Sequence, residues 1–102
     1  PLYVTRLDAQ HNVVEVGTHE QAMSQTCRLK DVHWIAGHPP ANDRPYDLRI
    51  RYRHDGAPAQ IRNDGDRLRV DFLSPQFAVT PGQAAVVYNE DEVLGGGWIA
   101  SP

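Results

Sequence analysis

Eight consecutive residues set the strongest constraint on how this chain can fold. Tyr46-Asp47-Leu48-Arg49-Ile50-Arg51-Tyr52-Arg53 carries apolar or aromatic side chains at every even position and charged ones at every odd position. Successive side chains of a strand point to opposite faces, so this period predicts a half-buried strand over 46–53. Leu48, Ile50 and Tyr52 then face a core, while Arg49, Arg51 and Arg53 share one outward row. The same period returns at Arg67-Leu68-Arg69-Val70-Asp71-Phe72, just after Asn63-Asp64-Gly65-Asp66. An Asp-Gly step supplies the positive φ of a tight hairpin, which predicts that residues 59–62 pair with 67–72. Pro58 falls at the beginning of the first of these strands, where its missing N–H matters least.

The remaining runs fit the same class. Residues 2–7 and 13–16 are β-branched and apolar, separated by the polar Asp8-Ala9-Gln10-His11-Asn12, and predict a further hairpin. Thr18 to Ala22 has room for one helical turn behind a Thr cap. Residues 24–35 predict a strand whose alternation slips between Cys27 and Leu29 on one parity and Val32 and Trp34 on the other, which places a bulge near Lys30 or Asp31. Gly37-His38-Pro39-Pro40-Ala41-Asn42-Asp43 reads as a loop, since consecutive prolines fit neither a helix interior nor a central strand. Ser74-Pro75-Gln76 and Thr80-Pro81-Gly82-Gln83 predict turns around a short strand-like piece at 77–79, the second being a type II turn with Gly82 at its third position. Residues 84–88 and 93–99 are nearly continuous apolar runs around the acidic turn 89–92, the pattern of strands buried on both faces. The expected fold is all-β: a small, mostly antiparallel β-barrel of about six or seven strands, one domain over residues 1–102, with a two-sheet sandwich as the alternative.

Length and composition narrow the function. A chain of 102 residues, 40% hydrophobic, suits one soluble domain. No run approaches the roughly 20 apolar residues of a membrane helix, and the start lacks the basic and apolar regions of a signal peptide, so the chain reads as cytoplasmic. Pro1 opens inside a strand-like run, as a cut within a longer polypeptide would. Cys27 is the single cysteine and cannot form an intrachain disulfide. The net charge of −3 argues against a polyanion-binding surface, but its distribution is uneven. Residues 44–69 hold seven arginines (Arg44, Arg49, Arg51, Arg53, Arg62, Arg67, Arg69) against four aspartates, leaving an excess of acid elsewhere. One basic face on an acidic body would look like this, as would a source that simply prefers arginine.

Residues able to carry catalysis are scarce. Gly95-Gly96-Gly97 lacks the Lys-Ser or Lys-Thr step and the following helix of a phosphate-binding loop, and reads as a bulge or barrel corner. His11, His19, His33, His38 and His54 form no zinc-ligand spacing, and Cys27, which sits in no nucleophile motif, reads by its parity with Leu29 as a small buried side chain. Ser24, Ser74 and Ser101 occupy no nucleophile elbow. Glu90-Asp91-Glu92 reads as a solvated turn. The sequence therefore offers no catalytic residue and no metal site. What remains is the row Arg49, Arg51 and Arg53, with Arg62, Arg67 and Arg69 as candidates to extend it across the neighbouring hairpin. Guanidinium groups on a rigid strand can take phosphate oxygens bidentately and position RNA without reading its bases. Tyr3, Tyr46 and Trp98 are candidates for base stacking, or for ordinary core and rim positions.

Five segments appear together and in order: Pro1-Leu2-Tyr3-Val4, Asp31-Val32-His33-Trp34, Ile50-Arg51-Tyr52-Arg53, Ala78-Val79-Thr80-Pro81-Gly82-Gln83-Ala84, and Leu94-Gly95-Gly96-Gly97. In this arrangement the chain resembles the C-terminal domain of the tRNA-specific 2-thiouridylase family (MnmA/TrmU). The resemblance implies an elongation-factor-like β-barrel that helps hold tRNA. It also implies a parent enzyme, a tRNA-uridine 2-sulfurtransferase, that uses ATP and Mg to activate the wobble uridine at position 34 and replaces its oxygen with sulfur. The family's ATP-pyrophosphatase loop and its two catalytic cysteines have no counterpart here, so Cys27 inherits no role. The implied partners are tRNA, an N-terminal catalytic domain of the same chain and a sulfur-carrier protein. The alternative is a structural barrel that packs on the catalytic domain without touching RNA.

Overall fold

A computed structural model of the protein describes residues 2–8, 10–18, 23–50, 55–77 and 79–101. The chain runs through β1 (Tyr3–Asp8), β2 (Val13–Gly17), β3 (Met23–Trp34), β4 (Tyr46–Ile50), β5 (Ala57–Asp64), β6 (Arg67–Phe77), β7 (Ala84–Asn89) and β8 (Glu92–Ile99). Six strands close into an antiparallel barrel in the order β3-β6-β5-β4-β7-β8, and β1 and β2 form a separate two-stranded sheet. The fold is thus an all-β barrel rather than a sandwich. No helix among the described residues is long and apolar enough to cross a membrane.

Alternation explains the interior. In β4, Tyr46, Leu48 and Ile50 are buried while Asp47 and Arg49 stay half-exposed; Arg51, Tyr52, Arg53 and His54 lie outside the described residues. In β5 and β6, Ala59, Ile61, Leu68, Val70 and Phe72 point inward and meet Leu29, Leu48, Val87 and Ile99 from the other strands in one apolar core. The β5–β6 hairpin has the expected register, from Ala59↔Phe72 to Asp64↔Arg67. Its two-residue turn carries the positive φ at Gly65 (63°), the first central position, as a primed hairpin turn requires. The second predicted turn also forms: the Gln83 amide donates to the Thr80 carbonyl (3.3 Å), with Gly82 at φ 94°.

Closure depends on β3 and β8. The first half of β3 pairs with β6 through Leu29↔Leu68, and the strand then also pairs with β8 through Leu29↔Ile99 to Trp34↔Gly95. Its register shifts between Lys30 and His33, where Asp31 adopts φ 52°, so the bulge lies where the slipped alternation placed it. The three glycines sit opposite this bend. A methyl on Gly96 would lie 2.6 Å from the Ala85 carbonyl oxygen, and one on Gly97 would lie 2.7 Å from that of Lys30. On Gly95 it would collide with the His33 carbonyl. Gly95, Gly96 and Gly97 are therefore the residues that let β8 lie against both β3 and β7.

Two expectations change. Ser74-Pro75-Gln76 is not a turn but lies within β6. The β3–β6 register jumps from Thr26↔Asp71 to Ser24↔Gln76, leaving Phe72, Leu73, Ser74 and Pro75 out of that ladder, so the missing proline N–H costs no pairing there. β7 and β8 are not buried on both faces: Ala85 and Val87 are buried while Val86 and Tyr88 are half-exposed, and Trp98 remains 46% exposed. The β1–β2 hairpin stands outside the barrel, held by the Tyr3 ring edge-on to Phe77 (centroids 4.6 Å apart) and by the Thr80 hydroxyl donating to the Val4 carbonyl (3.5 Å). It leaves Val4, Leu7, Val13, Val14 and Val16 exposed. The helical turn expected over 18–22 falls mostly on residues outside the described set.

Because the atoms facing Gly96 are backbone, they cannot rotate away. Gly96→Ala is expected to destabilise the fold by about 2 kcal/mol, the usual scale of overpacking, and to lower its melting temperature by roughly 10 °C. A calorimetric melt within about 2 °C of the parent protein would contradict this account of closure.

Candidate functional site

The outer face of β3, β6 and β5 gathers the charge. Arg28 on β3 is the direct partner of Arg69 on β6, and Arg69 is the direct partner of Arg62 on β5. Three arginines thus stand abreast across three strands, about 4.8 Å apart from strand to strand. One step along the sheet lie Lys30, Arg67 and Asp64; one step the other way lie Thr26, Asp71 and Gln60. The sequence pattern that builds this face is plain alternation, with Cys27 and Leu29 turning inward between Thr26, Arg28 and Lys30.

Like charges directly opposite on neighbouring strands repel, so such a row needs compensation. Two carboxylates provide part of it. Arg28 Nε donates to Asp64 Oδ2 at 2.7 Å, and Arg69 Nε donates to both Asp71 oxygens at 3.0 and 3.2 Å. Arg62, exposed at the end of the row, forms no ion pair with any described residue. The Arg28 hydrogen bond and charge hold the Asp64 carboxyl below its ordinary range, and Arg69 and Arg62 add to the pull. The face therefore keeps a net positive potential around groups of fixed position.

The structure joins some of the sequence candidates and separates others. Arg62 and Arg69 are neighbours, and Arg67 adjoins them with its Nε 3.6 Å from Asp66. Arg49 does not belong to this group. β4 is three strands from β3 in either direction round the barrel, and the β4–β5 ladder runs from Tyr46↔Ala59 to Leu48↔Ala57. Arg49 thus lies past the Ala57 end of β5, roughly 15–20 Å along the strand from Arg62. It is engaged locally: Nε donates to Asp47 Oδ2 (3.0 Å) and the guanidinium lies 4.0 Å over the Tyr88 ring. Arg51 and Arg53 lie outside the described residues. Arg28 was not among the sequence candidates. Its alternation with Cys27 and Leu29 marks it as outward-facing, but its place beside Arg69 depends on a pairing between segments far apart in the chain.

Cys27 lies against the core, and burial, aided by the Asp71 charge, pushes its thiol up to about 12. That is the opposite of an activated nucleophile. Among the described residues no group of three or more His, Cys, Asp or Glu side chains is placed to hold a metal ion.

The six strands define a closed antiparallel β-barrel domain, and comparison with known proteins places it in a family. Residues 24–99 match the aminomethyltransferase beta-barrel domain family, and the chain belongs to that family, in the form found at the C-terminal end of tRNA-specific 2-thiouridylases. It is 43% identical to the tRNA-specific 2-thiouridylase MnmA of Synechococcus sp. (strain JA-3-3Ab), over 100% of its own length and 28% of the relative's. It is 42% identical to the MnmA of Acidobacterium capsulatum, across 97% of this chain and 28% of the relative. With the MnmA of Delftia acidovorans the figures are 42%, 99% and 28%. The chain spans little more than a quarter of the length of these curated relatives.

The Arg28–Asp64 pair gives a test of the row's electrostatics. A depressed carboxyl pKa contributes stability that is present above the ordinary Asp value near 4 and is lost as pH falls through the lowered one. Both side chains are about half exposed, so the contribution is small and screened by salt. Carbon-detected NMR titration should find Asp64 titrating below an ordinary aspartate, and Arg28→Ala should return it most of the way. An unchanged Asp64 titration in Arg28→Ala would show that the pair does not hold in solution.

Proposed function

We propose that this barrel is the non-catalytic tRNA-docking part of an ATP-dependent tRNA 2-thiouridylase, the enzyme class that installs 2-thiouridine at wobble position 34. The observation that carries the reading is the Arg28–Arg69–Arg62 row. It concentrates guanidinium groups at fixed spacing on a rigid sheet, which suits phosphate contacts that position a nucleic acid. The relatives' names supply the kind of nucleic acid, tRNA. Catalysis, with ATP, Mg and a sulfur-carrier protein as partners, belongs in this reading to the rest of the polypeptide. Cytoplasmic location follows from the same enzyme class.

A second contact complements the first. The exposed valines of the β1–β2 hairpin suit packing on the catalytic part of the same chain, because an isolated two-stranded hairpin is marginal in water and leaves both edges unpaired. Barrel as docking surface and hairpin as attachment are compatible roles on different elements.

Counterion release tests the first role. In the full enzyme, replacing Arg28, Arg62 and Arg69 together by Ala should weaken tRNA binding and flatten the plot of log affinity against log salt by up to about three units of slope, near one for each phosphate that is no longer neutralised. Wild-type affinity and an unchanged slope in the triple variant would remove these residues from the interface.

A further inference from the structure

Beside the arginine row lie a cavity of mixed lining and an exposed tryptophan that the row alone does not explain. The cavity, of about 160 Å³, sits at the seam between the hairpin and the barrel; Thr5, Ser24, Thr26, Arg28, Arg69 and Ser101 line its polar side, and apolar residues, Val79 and Ile99 among them, form the rest of its wall. Four hydroxyl-bearing residues and two arginines contribute to its wall; the Arg28 and Arg69 Nε atoms are held by Asp64 and Asp71, which leaves their terminal NH2 groups as donors for an oxyanion. Next to it on the same outer surface, Trp98 of β8 is 46% exposed and is the direct cross-strand partner of Lys30 on one side and of Ala84 on the other. A small side chain on one flank and a flexible cation on the other leave the indole open. What sets Trp98 apart from the other exposed apolar side chains is its place: an open aromatic face beside a cation and one strand from Arg28.

The spacing links the two features. Lys30 is two residues along β3 from Arg28, and Trp98 lies one strand further, so Arg28 and Trp98 are about 8 Å apart by strand geometry. That distance is comparable to the reach from a phosphate to the base of the same nucleotide. We infer that the cavity and Trp98 together form a subsite for one unpaired nucleotide of the docked tRNA, its phosphate held by Arg28, Arg69 and the hydroxyls and its base stacked on the indole beside Lys30. This rests on the tRNA-docking reading and sharpens it: the arginine row alone is satisfied by a duplex backbone, whereas stacking on the indole needs a base whose face is free.

The test compares variants of the full enzyme for binding to tRNA and to a fully paired RNA duplex of similar length, across a salt series. Trp98→Ala should weaken tRNA binding about tenfold or more, the range of one base–aromatic stack, with the salt slope unchanged because no charge is removed. Trp98→Phe should recover most of the loss, and duplex binding should be unaffected by either. Arg28→Ala and Arg69→Ala should each lower the slope by about one. Thermal melts establish that the variants fold. If Trp98→Ala leaves tRNA affinity within about twofold of wild type, or weakens duplex binding equally, the nucleotide subsite is wrong even where the arginine variants still bind poorly. If the arginine variants also bind normally, the docking reading itself falls. A Trp98→Ala variant that binds tRNA normally but dissociates a protein partner would assign the indole to a protein interface and overturn the proposal.

Discussion

The barrel depends on the close approach of β8 to β3 and β7 at Gly95, Gly96 and Gly97. A strand that closes a barrel must be paired along both edges, and here the lines of the two neighbours leave no space for a Cβ. The bulge at Asp31 performs the matching operation on β3, letting one strand of 12 residues serve β6 with its first half and β8 with its second. Without that bend and those glycines, β3 would lie flat on one neighbour and the sheet would keep two open edges, which invite pairing with other chains.

Closure has a functional consequence on the outside. By fixing β3 between β6 and β8, it sets Arg28 beside Arg69 and Lys30 beside Trp98 in one surface. None of these side chains is buried, so the positions are held by the backbone ladder rather than by packing of the side chains themselves. A rigid scaffold of this kind presents charge at fixed spacing at little conformational cost on binding. The fold supplies the geometry, and the chain carries arginine where the geometry points outward.

Much of this was legible in the chain. The alternation of 46–50, the Asp-Gly turn and register of β5–β6, the Pro81-Gly82 turn and the slip at Asp31 are all local signals, carried by side-chain parity or by single residues with special φ. What could not be read was every pairing between distant segments. Along the chain Arg62, Arg67 and Arg69 stand near Arg49, yet the antiparallel β4–β5 ladder carries Arg49 to the far end and brings in Arg28 instead. Pro75 misled for a related reason, since only the tertiary register reveals a stretch of β6 with no ladder bond to lose. The apolar runs in β7 and β8 lacked alternation, so their half-exposed faces, including the indole of Trp98, became visible only with the barrel closed.

The central claim is that the β3–β6–β5 face, and not the whole surface, meets tRNA. Arginine-selective dicarbonyl labelling of the full enzyme, read residue by residue by mass spectrometry with and without tRNA, addresses it directly. If this face is the docking surface, tRNA protects Arg28, Arg62 and Arg69 while Arg6 and Arg44 label as before. Equal labelling of the three-arginine row in both states would contradict it.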